Sequence, residues 1–202
     1  MSESPNKLEV DANKTFYDVT IVGRARHGKD TVASMLKVLD DRFTRVALAD
    51  KLKEHLAWLL SESSKKLDIP HIRNNDPQYY LQQFDVDKNR YRPLLQWFGT
   101  DFVRKEDDKY WIKMLSTSIG RDMSKRYVLT DARFDNEVQS RIRDGNFIIK
   151  VVREGMEISE SSHSSESGID ALPYHVLIKN DGSLDDLFKE VQKVYESFLV
   201  IT

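Results

Sequence analysis

The chain contains no cysteine, which removes disulfide staples, thiolate nucleophiles and cysteine-ligated zinc together and suits a reducing compartment. Glycine and proline are scarce, 8 and 5 in 202 residues, so collagen-like and low-complexity disordered chains are excluded. No apolar run approaches the roughly 20 residues that cross a bilayer, and no membrane association is expected. An excess of one charge is also missing: 31 Lys and Arg stand against 33 Asp and Glu, a net of -2. That balance offers no general positive field to hold nucleic acid, and no direct nucleic-acid partner is expected. Between Met1 and Lys14 no apolar stretch separates a basic start from a small-residue cleavage site. A secretory signal is therefore not expected, and a cytoplasmic setting is.

What is present suits one α/β body. With 40% hydrophobic residues in 23.5 kDa, the chain is long enough for one substantial core plus a small appendage. Short apolar runs at Tyr17 to Val22, Arg45 to Ala49, Tyr127 to Thr130, Phe147 to Val152 and His175 to Lys179 alternate with segments of helical period. This alternation predicts a central, mainly parallel sheet of five strands. Val32, Met35, Leu36, Leu39 and Phe43 form one predicted helical face, and Leu184, Leu187, Phe188, Val191, Val194 and Phe198 another. Between the second and third runs lies a long insertion with helical patterns at Asp50 to Leu60, Leu94 to Phe102 and Trp111 to Ile119. Such an insertion is expected to roof a pocket at the strand ends. Residues 1–16 read as a flexible tail. From Ser159 to Ser167, six of nine residues are serine, so about 153–172 reads as a mobile lid or a plain surface linker.

The strongest chemical signal is Gly23-Arg24-Ala25-Arg26-His27-Gly28-Lys29-Asp30-Thr31, which follows the first strand and opens the first helix, as a phosphate-binding loop requires. Gly23 and Gly28 permit a backbone whose N–H groups turn inward around an anion, the helix adds its positive end, and Lys29 adds a full charge. Asp30 stands where Ser or Thr usually follows the lysine. Thr31 and Asp30 are therefore candidate magnesium residues, Asp30 through water. Arg26 and His27 are loop positions able to meet phosphate. At the end of the third strand Asp131 is a second candidate for magnesium, with a helix cap as the alternative. Arg133 beside it suits a transferred phosphate or a local acid.

Gly28-Lys29-Asp30-Thr31, then Leu95-Gln96-Trp97-Phe98-Gly99-Thr100-Asp101, then Thr130-Asp131-Ala132-Arg133-Phe134-Asp135-Asn136-Glu137 resemble the ordered motifs of the bacteriophage-type deoxynucleoside monophosphate kinases. The resemblance runs from about Tyr17 to the end. It implies a P-loop nucleoside monophosphate kinase fold, with residues 17–202 as a single kinase domain, about 50–122 as the acceptor-binding insertion and about 153–172 as lid. It also implies transfer of the γ-phosphoryl of ATP to a deoxynucleoside monophosphate, with magnesium required, in a host cytoplasm; a homodimer is admitted. By similarity Gly28, Lys29, Asp30 and Thr31 serve the donor phosphates, and Asn180 and Asp181 fall at an adenine-side loop, although an Asn-Asp-Gly turn accounts for them as well.

This chemistry needs no strong base, because the acceptor phosphate has its second pKa at about 6. It needs cations to offset the repulsion of two polyanions held in line. Arg92, Arg104 and Arg133 are the candidate suppliers, with Lys53. Gln96 and Trp97 suit an acceptor base, and a helix core formed by Leu94, Trp97, Phe98 and Phe102 is the alternative. Asp101 and Arg104 lie three apart, at the spacing of a surface ion pair. Arg153, after the fourth strand, and His163 are candidates to reach the donor phosphates from the lid. His55, His71 and His175 have no metal-ligand spacing. The rivals are a kinase of the same architecture for phosphomevalonate or dephospho-coenzyme A, a noncatalytic nucleotide switch, which lacks a DxxG and an NKxD here, and nucleic-acid binding through Arg141 and Arg143, whose charges also suit a solvated helix face.

Overall fold

The computed structural model describes residues 6–10, 16–67, 74–119, 122, 124–155 and 168–200. These fall into two compact units, Met1–Ala47 with Arg121–Thr202, and Leu48–Gly120. In the first unit, Val19–Val22 (β1), Phe43–Val46 (β2), Arg126–Leu129 (β3), Phe147–Val152 (β4) and Val176–Lys179 (β5) form one sheet in the order β2-β3-β1-β4-β5, every neighbouring pair parallel. The expected α/β fold with a central parallel five-stranded sheet is what the chain adopts. Parallel strands are covered on both faces and read as unbroken apolar runs. All four residues of β1 are buried, and the hydroxyl of Thr20 donates to Asn146 Oδ1 at 3.0 Å. Helices Lys29–Leu39 (α1) and Leu184–Val194 in the carboxyl-terminal part pack against this sheet through Val32, Leu36, Leu187, Val191 and Val194.

Three boundaries differ from the sequence pattern. Phe43 does not continue the face of α1 but opens β2, because Asp40 turns the chain by accepting the backbone N–H of Arg42 at 3.1 Å. The second strand therefore ends at Val46, and the apolar residues Leu48 and Ala49 begin a helix instead. Leu184, placed on the buried face by periodicity, is 68% exposed at the first turn of its helix. Part of the expected tail is paired: the N–H of Leu8 donates to Tyr174 O at 2.7 Å and that of Tyr174 to Asn6 O at 3.1 Å, a parallel bridge.

The second unit is helical: Leu48–Leu67 (α2), Pro77–Val86 (α3), Lys88–Gln96 (α4) and Tyr110–Ser118 (α5). Asp76 caps α3 by accepting the N–H of Gln78, with Pro77 in the first turn, a start signal the apolar pattern alone does not register. Pro93 deprives α4 of one N–H, and the coil widens to π-type turns over Trp97–Arg104. Gly99 lies in that stretch against Leu52, where a Cβ would come within 2.1 Å of Leu52 Cδ1, and its carbonyl accepts the indole N–H of Trp111 at 3.0 Å. Asp135–Arg143 (α6) joins β3 to β4, and the helix at Leu184–Val194 is α7. Among the described residues no helix is long and apolar enough to cross a membrane.

Candidate functional site

The loop leaving β1 has the backbone its glycines foretell. Gly23 has φ +152, and a Cβ there would stand 2.4 Å from Val151 O of β4. Gly28 has φ +98 and serves as N-cap of α1 without a side chain to occupy the first-turn amides, which leaves them for an anion. Between the two, Arg26 takes φ 65, a conformation that costs a non-glycine residue on the order of 1 kcal/mol. Lys29 folds back into the curve: its ammonium donates to Gly23 O at 2.7 Å and to Arg24 O at 2.8 Å. The charge is thus held by the loop's own carbonyls.

His27 and Asn180, both expected at the nucleotide, are engaged in holding this loop. His27 is buried with Nδ1 3.3 Å from Val151 O. The carboxamide of Asn180, just beyond β5, donates to His27 O at 3.0 Å, while its backbone N–H donates to Val152 O at 2.8 Å. That carboxamide fills the space where a Cβ at Gly28 would stand, 2.5 Å from Nδ2. Gly28→Ala therefore strains φ and displaces Asn180, and is expected to weaken the phosphate binding that the sequence pattern predicts for this loop about tenfold, roughly 1.4 kcal/mol. Isothermal titration of the folded variant checks this; binding equal to that of the unsubstituted chain contradicts it.

Asp30, in the first turn of α1, sits with two residues that sequence reasoning did not single out as site members. Its Oδ1 accepts from Arg45 Nε at 2.9 Å and from the Thr130 hydroxyl at 3.0 Å. Burial alone would raise the Asp30 carboxyl, but the hydrogen bonds from Arg45 and Thr130, with the charges of Arg45 and Lys29, outweigh it and hold the group below its ordinary range. Thr31 follows in the same turn, half-buried. Asp131 follows Thr130 directly and is half-buried; since α6 begins at Asp135 behind Phe134, Asp131 is not its cap. Glu137 serves that end, its buried carboxylate accepting the N–H of Arg133 at 2.9 Å and of Phe134 at 3.2 Å. The backbone at Arg133 is thereby fixed. A Glu in the first turn is the signal that marked it.

In the helical unit the candidate acceptor residues are spread over several elements. Lys53 on α2 pairs with Asp85 of α3 at 2.7 Å. Arg92 is exposed on α4, Gln96 closes that helix half-buried, and Asp101 is exposed in the π-type stretch. Arg104 donates to Asp108 O at 3.1 Å. Of the helix-core alternative, Phe98 is buried and Leu94 half-buried, whereas Trp97 and Phe102 are 49% and 53% exposed and stack on each other at 5.5 Å, 25° between planes. An exposed flat pair of rings offers a stacking surface.

Arg153 is exposed immediately after β4, where the next N–H, that of Glu154, donates to Asp181 Oδ1 at 2.6 Å. His163 and the serine-rich stretch from Ser159 to Ser167 lie outside the described residues. The far end of the expected lid belongs to the core: Ile169 and Leu172 are 1% and 2% exposed around a short turn at Ile169–Ala171. The other histidines serve structure, with His55 Nδ1 2.8 Å from Lys51 O and His175 Nδ1 accepting the N–H of Ile148 at 2.8 Å; His71 lies outside the described residues.

A family model described as deoxynucleotide monophosphate kinase matches residues 80–191. Two curated proteins bearing the same description are similar to the chain. One, from Escherichia phage RB69, is 36% identical over 108 residues, 51% of this chain and 43% of the relative. The other, from Enterobacteria phage T4, is 31% identical over 105 residues, 50% of this chain and 43% of the relative. The chain thus matches less than half the length of these relatives. The family match takes in Gln96, Asp131, Arg133 and Asn180 but not the loop from Gly23 to Thr31, whose reading rests on its own residues and geometry.

Proposed function

Since the chain belongs to the deoxynucleotide monophosphate kinase family, we propose that it transfers the γ-phosphoryl group of ATP to a deoxynucleoside monophosphate. The bond between the β,γ-bridging oxygen and the γ-phosphorus breaks, an acceptor phosphate oxygen bonds to that phosphorus, and ADP and the deoxynucleoside diphosphate leave. The observation that carries the reading is the loop at the end of β1, where Lys29 is held by Gly23 O and Arg24 O beneath the open amino end of α1. In this reading Gly23, Arg26, Gly28, Lys29 and Thr31 serve the donor triphosphate. His27 and Asn180 act on it through the loop they hold, and Arg153 reaches it from beyond β4. Lys29 and Arg133 offset charge on the transferred group, and Arg92 with Lys53 and Arg104 serves the acceptor phosphate. Gln96, Trp97 and Asp101 serve the acceptor nucleoside, with Trp97 as its stacking face.

Asp30, Thr31 and Asp131 offer only hard oxygen donors, and magnesium bound beside phosphates takes one or two carboxylates with water. These residues therefore fit the ion, which when bound neutralises phosphate charge. Arg45 and Thr130 both hold Oδ1 of Asp30. A cytoplasmic setting, that of an infected host if the chain comes from a phage like its relatives, supplies ATP and deoxynucleotides together.

The test is ATP consumption by the purified chain against the four common deoxynucleoside monophosphates, GMP, phosphomevalonate and dephospho-coenzyme A. Saturable turnover with at least one deoxynucleotide is expected, and comparison of dGMP with GMP reads the part played by the 2′-hydroxyl. Turnover confined to phosphomevalonate or dephospho-coenzyme A would transfer the chain to the rival reading.

A further inference from the structure

The phosphate loop carries one more charged group than the chemistry above employs. Arg24 follows Gly23, and its guanidinium makes a two-pronged contact with Asp170, Nε to Oδ1 at 3.0 Å and Nη2 to Oδ2. Asp170 belongs to the short turn Ile169–Ala171, anchored by buried Ile169 and Leu172. It is fixed from a second side as well, because its backbone carbonyl accepts the ammonium of Lys150 at 2.5 Å. Lys150 is a nearly buried residue of β4 lying over the ring of Tyr174 at 5.2 Å. The backbone carbonyl of Arg24 is in turn one of the two acceptors for Lys29. A continuous set of contacts thus runs from β4 through Lys150, Asp170 and Arg24 to the ammonium in the phosphate loop.

We propose that Asp170 is a positioning residue for donor binding, holding Arg24 so that the loop keeps the shape in which Lys29 and the inward amides meet a triphosphate. This rests on the kinase reading above and deepens it. A two-pronged guanidinium–carboxylate contact fixes orientation as well as distance, and Arg26, in its strained conformation two residues on, gives the loop reason to relax if that contact is lost. The charges around the Asp170 carboxylate agree. The hydrogen bond from Arg24 leads, burial opposes it, and Arg24, Lys150 and His27 add attraction, so the group lies below its ordinary range and stays ionised near neutrality.

When part of the population has a misshapen loop, apparent affinity falls by the competent fraction, while saturating nucleotide restores the competent form. Asp170→Asn is therefore expected to raise Kd and KM for ATP about fivefold, with kcat and the KM for the acceptor changed less than twofold. Arg24→Gln should do the same, and the double variant should lose no more than either single one, since both remove one contact. Calorimetric ATP titration of the unsubstituted chain and the three variants, beside steady-state kinetics and thermal melts, reads all of this. Should Asp170→Asn fold poorly, Arg24→Gln against the unsubstituted chain still decides the matter. Unchanged ATP affinity in the single variants, losses that multiply in the double variant, or a fall confined to kcat would overturn the positioning role and leave the kinase reading intact. Absence of ATP binding by the unsubstituted, folded chain would overturn that reading and the inference with it.

Discussion

Lys29→Ala is expected to lower kcat by about 10²–10³ while leaving the fold in place, the range typical of removing one preorganised oxyanion-stabilising donor. The expectation follows from position as well as from type. Lys29 is the first residue of α1, and its ammonium crosses back to Gly23 O and Arg24 O, so the cation is set in the loop before any nucleotide arrives and needs little reorganisation during transfer. Removing it opens no core cavity, because the loop rather than the apolar cluster surrounds it. Lys29→Arg should not restore the rate, since a planar, forked group cannot take the place of a compact ammonium between two carbonyls. Steady-state turnover, read beside circular dichroism and the melting temperature, checks the pair of variants. A folded Lys29→Ala protein with unchanged kcat would remove the loop from the catalytic account.

The features legible in the sequence are those in which local pattern and structure obey the same constraint. β4 coincides with the apolar run Phe147–Val152 because a central strand buried on both faces has no alternation to blur its ends. The glycine loop after β1 is legible because Gly23, Gly28 and Lys29 lie close together in one short stretch of chain. At β2 this correspondence fails. The strand lies at the sheet edge and is only partly buried, so its apolar signal is weak, and the hydrophobic residues that follow it open α2. The site partners that escaped notice are joined across long separations: Thr130 to Asp30 across 100 residues and Asp170 to Arg24 across 146. His27 and Asn180 show a structural task that the pattern does not register. Polar side chains near a glycine loop suggest ligand contacts, but backbone carbonyls within a tight loop also need donors, and here Asn180 spans 153 residues to supply one. Trp97 and Phe102 fit a helix-core pattern until π-type turns change which residues share a face.

Another connection between distant parts of the sequence carries the second large effect, one on stability. Arg126, the first residue of β3, is fully buried and distributes its donors over four acceptors: Tyr17 O at 2.7 Å, Asp40 Oδ2 at 2.8 Å, Leu199 O at 2.9 Å and Phe16 O at 2.9 Å. The guanidinium also lies 4.1 Å over the ring of Phe43. One side chain therefore joins the entry to β1, the turn after α1, β2 and the carboxyl-terminal helical end. Asp40 is the carboxylate that pairs directly with it, while Asp18 interacts with its charge, so Asp40→Ala leaves a buried cation without its bonded counter-charge. Such a loss is expected to cost about 3–5 kcal/mol, far more than an exposed pair contributes. The effect must depend on pH in a defined direction. Hydrogen bonds from Arg42, opposed by burial and reinforced by Arg126, hold the folded-state Asp40 carboxyl well below the usual carboxylate range. A depressed folded pKa contributes fully above the unfolded value of about 3.9 and is lost as pH falls from there toward the folded value. Urea unfolding at pH 7 should therefore separate Asp40→Ala from the unsubstituted chain by the full amount, and the gap should narrow once the pH drops below about 4. A gap that stays constant from pH 7 to pH 3 would assign the loss to packing alone, and no gap at pH 7 would remove the pair from the account of stability.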